Sequence, residues 1–289
     1  MINFLKHRWL YFAISVTVIG LGILSIVLWG YNFSIDFVGG TNLEYQFVKN
    51  VRLNDIKKVV DKQNISVESI SLTAKDLLLR TKPIDEKKEL QLRNNLKTIT
   101  GGVVLLRFET VGPVLGRETM IKTGIASLLG ILGILLYMTF AFKGFNYALS
   151  AVLALLHDFM VVIGSYSLLS KFFGAQVDTL FVTAVLTAMS FSVHDTIIIF
   201  DKIREYLREY GKGDIDHYAN KALTETMVRS LNNSMTIIFM LLSLTLLGGS
   251  TIRFFVATLL VGTITGTYSS PFVATPILVW LEKRKKINK

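Results

Sequence analysis

Asp158 and Asp195 stand inside stretches of chain that are otherwise apolar enough to cross a membrane. A carboxylate at the centre of a membrane helix costs about 2.5–3.5 kcal/mol on insertion scales. Residues kept at that cost mark ion or proton pathways, or pair with another polar group. Arg229 opens a later apolar stretch at the depth of Asp195 and is its expected partner. A small movement separating the two would change how firmly the carboxylate holds a proton. His194 and His157 each precede one of the aspartates, and histidine titrates near neutral pH. Neighbours on a helix lie about 100° apart, so these rings need not touch those carboxylates. Asp195, Arg229, Asp158 and His194 are therefore the candidate proton-pathway residues. The structural alternative is a static buried pair that orders a bundle. Asp158 leans that way, because Ala151, Ala154 and Ser165 share its face and such small residues let helices approach.

The elements that must position these groups are membrane spans of roughly 20 apolar residues. Six segments qualify, at about 9–29, 120–141, 147–169, 178–200, 231–248 and 254–281. Span four carries a polar stripe, Thr183, Thr187, Ser190 and His194. Span five carries Asn232, Asn233, Thr236 and Ser243 beyond Arg229. The two are expected to meet polar face to polar face. Gly262 and Gly266 fit close helix packing, and Pro271 and Pro276 are sites for a kink in span six. Lys6 and Arg8 precede span one, Lys143 follows span two, and Lys202, Arg204, Arg208, Lys212, Lys221 and Arg229 lie between four and five. Lys283, Arg284, Lys285, Lys286 and Lys289 close the chain. This asymmetry predicts two cytoplasmic termini.

Three regions follow: 1–30 with the first span, an extracytoplasmic segment 31–118, and 119–289 with spans two to six. The last includes the charged cytoplasmic loop 201–230, where Ile203, Leu207, Tyr210, His217 and Ala222 have the spacing of an amphipathic interfacial or docking helix, the alternative being a solvated loop. In the outer segment Thr41–Phe47 alternates like a strand, and Leu53–Gln63 has helical spacing with Asn54 as N-cap. Val67–Leu72 and Asp76–Thr81 read as strands, Asp85–Thr98 as a helix and Val103–Phe108 as a last strand. The order β-α-β-β-α-β predicts an α+β, ferredoxin-like domain attached to a polytopic α-helical membrane protein.

Composition narrows the chemistry. With no cysteine, disulfides, thiol catalysis and thiolate metal sites are excluded. No P-loop, HExxH or nucleophile elbow is present, so neither ATP nor peptide hydrolysis is expected, and no cofactor or metal. The net charge of +10 is a topology signal plus a basic outer domain rather than a nucleic-acid footprint. The basic, apolar N-terminus is a retained span rather than a signal peptide, because its apolar run exceeds a typical 7–15 residues.

Four motifs carry a resemblance. Ser34-Ile35-Asp36-Phe37-Val38-Gly39-Gly40-Thr41 is similar to the GIDFxGGT signature that follows the first span of SecD and SecF proteins. The run from His194 to Glu205 resembles the SecF pattern (N/H)DTIVVFDRIRE. His157-Asp158 resembles the family's HD step, and Arg229 to Thr236 resembles RTxxTSxT. Ser34 replaces a glycine, and Ser230 and Asn233 replace threonines. The resemblance covers essentially the whole chain and is to the SecF side of the SecD/SecF export family, within the resistance-nodulation-division superfamily. It implies a plasma-membrane subunit that is not an enzyme. Such a subunit pairs with SecD and the Sec translocon channel, handles unfolded exported chains within membrane lipid, and uses the proton motive force. It carries proton conduction to Asp195 and Arg229, ranks Asp158 second, and marks Asp36, Gly39 and Gly40 as the motif after span one. The rivals are a half-size exporter of small molecules or lipids and a purely structural translocon subunit.

Overall fold

The computed structural model describes residues 3–141, 144–211 and 213–287, with the side chains of Ser250 and 285–287 outside the description. Lys143, Lys212 and Lys289, used above to orient the chain, lie outside the described residues, as do the side chains of Lys285 and Lys286. A 3-10 turn (Phe4–His7) leads into α1 (Arg8–Trp29), a short strand β1 (Asn32–Phe33) and a one-turn helix α2 (Ile35–Val38). Then come β2 (Gly40–Phe47), α3 (Leu53–Lys62), β3 (Val67–Thr73), β4 (Asp76–Thr81), α4 (Glu86–Thr100) and β5 (Val103–Val111). The remainder is α5 (Pro113–Ala141), α6 (Phe145–Phe173), β6 (Gln176–Val177), α7 (Thr179–Glu209), α8 (Ile215–Leu247), α9 (Ser250–Ser269), a π-helical turn (Ser270–Ala274) and α10 (Thr275–Ile287). Two compact units result, Phe33–Ile125 and the described residues of Met1–Asn32 with Ala126–Lys289.

In the first unit the sheet order is β3-β4-β2-β5, and its neighbouring strands are antiparallel. Alternation sends Leu43, Tyr45, Phe47, Leu77 and Leu79 to one face, where Ile56 and Val60 of α3 and Leu92 and Leu96 of α4 cover them. Asp85 caps α4, its side chain accepting from Lys88 N at 2.9 Å. Asn54 does not cap α3; that helix begins at Leu53, so Asn54 lies inside its first turn.

The motif after span one is a backbone device. Ser34 caps α2, its Oγ accepting from Asp36 N at 3.2 Å. That explains a serine where the family pattern has glycine: a hydroxyl meets an otherwise orphaned helix N–H. Gly39 has φ +78°, and a Cβ there would stand 2.8 Å from Pro113 Cα. Gly40 has φ +131° and lies against Thr81 O. Asp36 is half-buried beside them.

The second unit is a bundle. Together with α5, whose first turns belong to the first unit, it supplies six helices long and apolar enough to cross a membrane: Phe4–Trp29, Pro113–Ala141, Phe145–Phe173, Thr179–Glu209, Ile215–Leu247 and Thr251–Arg284. α6 is the most enclosed and α5 the most exposed. Glycines set the closest approaches. A Cβ on Gly164 of α6 would stand 2.6 Å from Gly22 Cα of α1. On α9, one on Gly262 would overlap Ala188 Cβ, and one on Gly266 would stand 2.9 Å from Ser192 Cα, so α9 lies flush on α7. Pro271 lies in the π-helical turn of span six. Its missing N–H and ring clash displace the hydrogen-bond ladder by one residue, so that Thr275 N reaches Ser270 O.

The segment 201–230 is helical, as its spacing predicts, rather than a solvated loop. α7 runs on to Glu209 and α8 begins at Ile215, so the connection is a short turn. The amphipathic spacing belongs to the helix ends, where Ile203, Tyr206, Tyr218 and Ala222 are buried. Lys202 and Lys221 lie 5.1 and 4.4 Å from the Tyr206 ring centroid.

Candidate functional site

Asp195 faces inward from α7 and is 6% exposed. Its Oδ2 accepts a hydrogen bond from Ser230 Oγ of α8 at 2.7 Å. Ser230 and Ser234, one turn apart, are the buried polar residues that α8 presents here. A cleft opens beside the carboxylate, lined by His194, Asn233, Thr263 and Thr267 among others. The space in it open to the centre of a water molecule is ≈ 20 Å³, room for one water.

Arg229 is elsewhere. It is exposed, and among the described residues no ion pair joins it to Asp195. Asn232, Asn233 and Thr236 are exposed as well, as are Thr183, Ser190 and His194 on α7. The expectation that these stripes pack against each other is corrected by the fold. Arg229 and Ser230 point about 100° apart, and the smaller hydroxyl faces the bundle. The exposed hydroxyls are not orphaned. Thr183, Thr236 and Ser243 bond carbonyls of their own helices at 2.9, 2.7 and 2.8 Å.

Asp158 is the more enclosed carboxylate, 3% exposed, and it is fully committed. Oδ1 bonds His157 Nδ1 at 2.8 Å. Oδ2 accepts from Ser192 Oγ of α7 and from Ser269 Oγ of α9, the latter at 2.6 Å. His157 Nε2 lies 3.0 Å from Ser15 Oγ of α1. One side-chain cluster thus ties α1, α6, α7 and α9. It continues through Ser270, whose Oγ is 2.8 Å from Thr196 Oγ1, next to Asp195 in the chain. His157 therefore does touch its neighbouring carboxylate, whereas His194 turns to the exposed side.

Sequence reasoning missed Ser15, Ser192, Ser230, Ser234 and Ser269. The available signal was spacing. Ser192 precedes Asp195 by nearly a turn, and Ser269 follows the Gly262–Gly266 contact that brings α9 onto α7.

A bundle of helices long and apolar enough to cross a membrane, with buried carboxylates and interrupted after its first span by a four-stranded α+β unit, defines a polytopic α-helical membrane protein. The pattern described as "Protein export membrane protein SecD/SecF, C-terminal" matches residues 91–284, and the SecD/SecF GG motif matches 32–51. The protein translocase subunit SecF of Thermobaculum terrenum is 41% identical, over 98% of this chain and 95% of that protein. SecF of Vibrio alginolyticus is 32% identical, over 99% and 91%. The crystal structure of SecDF, a translocon-associated membrane protein from Thermus thermophilus, superposes with a TM-score of 0.85 at 28% identity. That match covers 98% of this chain and 39% of SecDF. The chain belongs to the SecD/SecF family of protein-export membrane proteins, and its role is that of a SecF subunit in export.

Proposed function

We propose that the chain works with a SecD partner to couple the proton motive force to export, with Asp195 as the proton-handling carboxylate. The observation that carries this is a buried carboxylate that accepts from the Ser230 hydroxyl, with the Ser234 hydroxyl and a water-sized cleft at its side. Ionised, it accepts from Ser230. Protonated, its own O–H can donate, and Ser230, both donor and acceptor, can reverse its bond. The exchange alters the contact between α7 and α8, and each proton crossing 100 mV supplies about 2.3 kcal/mol, more than a tenfold bias on a two-state element. Arg229 acts from the exposed face of α8. Arg229 and Asn232, both exposed, are polar groups that lipid would not solvate, suited to SecD. Asp158 and His157 hold the bundle in register.

The orientation that goes with this reading has both termini in the cytoplasm and residues 31–118 outside the plasma membrane, ferredoxin-like in strand order and turned to emerging unfolded chains and the translocon channel. The subunit makes no covalent change in what it moves. Asp195→Asn is expected to insert normally, assemble with SecD and lose proton-driven export in inverted vesicles. Full gradient-dependent export by that variant would sink the proposal.

A further inference from the structure

The end of the bundle that carries the N-terminus holds a cleft of ≈ 380 Å³ that the carboxylate site does not use. Its volume falls within the about 300–1,000 Å³ typical of small-molecule sites. Three elements wall it: the turn Phe4–His7 entering α1, the first turns of α8, and α10. Lys6, Arg8 and Lys283 bring three cations, and Asp216 is the one acid among the lining residues. Asp216 is already engaged by Lys283. Among the described residues neither Lys6 nor Arg8 has an ion-pair partner.

The cations are held in place by the backbone beneath them. Asn220, 4% exposed, accepts from Leu5 N at 3.2 Å and donates to Asn3 Oδ1 at 3.3 Å. Asn3 Oδ1 also accepts from Lys6 N at 3.2 Å. The turn between Asn3 and Arg8 is therefore fastened to α8. Trp9 follows, 74% exposed, and α1 is apolar from Leu10 onward. Tryptophan at the start of a span marks the membrane–water boundary. The cleft thus lies at the depth of lipid phosphates, with two cations free to meet them.

We propose that this cleft binds the headgroup of an acidic phospholipid, with Lys6 and Arg8 on its phosphate and Trp9 against the glycerol and acyl boundary. The site does not depend on which side of the membrane the termini occupy, nor on the proton reading of Asp195. The test uses the full chain in nanodiscs of phosphatidylcholine with a minority of phosphatidylglycerol, whose two faces are both open. Native mass spectrometry then follows stepwise removal of lipid. Phosphatidylglycerol is expected to be retained over phosphatidylcholine. Lys6→Gln with Arg8→Gln lowers that preference about ten- to thirtyfold, and the charge-keeping pair Lys6→Arg with Arg8→Lys preserves it. Asp216→Asn, which releases Lys283, raises it. Equal retention of the two lipids, or a glutamine variant with unchanged preference, overturns the proposal. So does inorganic phosphate at millimolar concentration displacing the lipid and stabilising the chain equally without it, which would assign the cleft to free phosphate.

Discussion

Replacing Asp158 with leucine removes the acceptor shared by His157 Nδ1, Ser192 Oγ and Ser269 Oγ, and leaves three donors from three helices inside the bundle. Interhelical hydrogen bonds in membranes are worth about 0.6 kcal/mol on average and up to about 1.7. Three of them give an expected loss of about 2–5 kcal/mol. Asp158→Asn keeps one acceptor oxygen and offers N–H donors to hydroxyls that can turn to accept, so its cost is about 1 kcal/mol. Reversible unfolding in mixed micelles, followed by circular dichroism against rising dodecyl sulfate, measures both. Export driven by a proton gradient is read in parallel. Asp158→Asn is expected to keep most of its export activity, because a brace needs hydrogen bonds and not a titrating charge. A leucine variant that loses under about 0.5 kcal/mol would refute the bracing argument. A stable asparagine variant without gradient-driven export would refute it from the other side, by placing Asp158 on the proton route.

Gly164→Ala is expected to cost about 1–3 kcal/mol, because its Cβ would stand 2.6 Å from Gly22 Cα with backbone on both sides. Gly133→Ala, with nothing within 4 Å of the added carbon, is the matched control and should not lower the thermal midpoint. In the α+β unit, burial and the Glu89 carboxylate push the Tyr45 phenol far above its ordinary value. The folded unit holds that proton where the unfolded chain releases it. Its contribution to stability is therefore constant below about pH 10, the ordinary phenol value, and falls as pH rises beyond it. Hydrogen exchange over 40–111 between pH 8 and 11 should show this fall, and Tyr45→Phe should flatten it.

The six spans were legible because an apolar run of about 20 residues has few other places to be. Their ends were not, since charged residues continue a helix as readily as they end a span. α7 and α8 accordingly run on to Glu209 and back to Ile215, through the charged segment that joins the two spans. In the α+β unit, strands and helices followed from period-two and period-3.6 patterns. The β3-β4-β2-β5 order did not, because pairing joins residues distant in the chain.

For the carboxylates, the sequence by itself determined type and depth: Asp158 and Asp195 sit within spans, and Arg229 enters the fifth at the level of Asp195. Only the tertiary structure decided direction. Each residue turns a helix face by about 100°, so one position separates Ser230, which bonds Asp195, from Arg229, which is exposed. Depth is a count along one chain. Azimuth is set by how neighbouring helices pack, here by Gly22 on Gly164 and by Gly262 and Gly266 on α7. Those contacts turn Ser192 and Ser269 onto Asp158 and leave Asp195 with the hydroxyls of α8, Ser230 and Ser234, and space for a water.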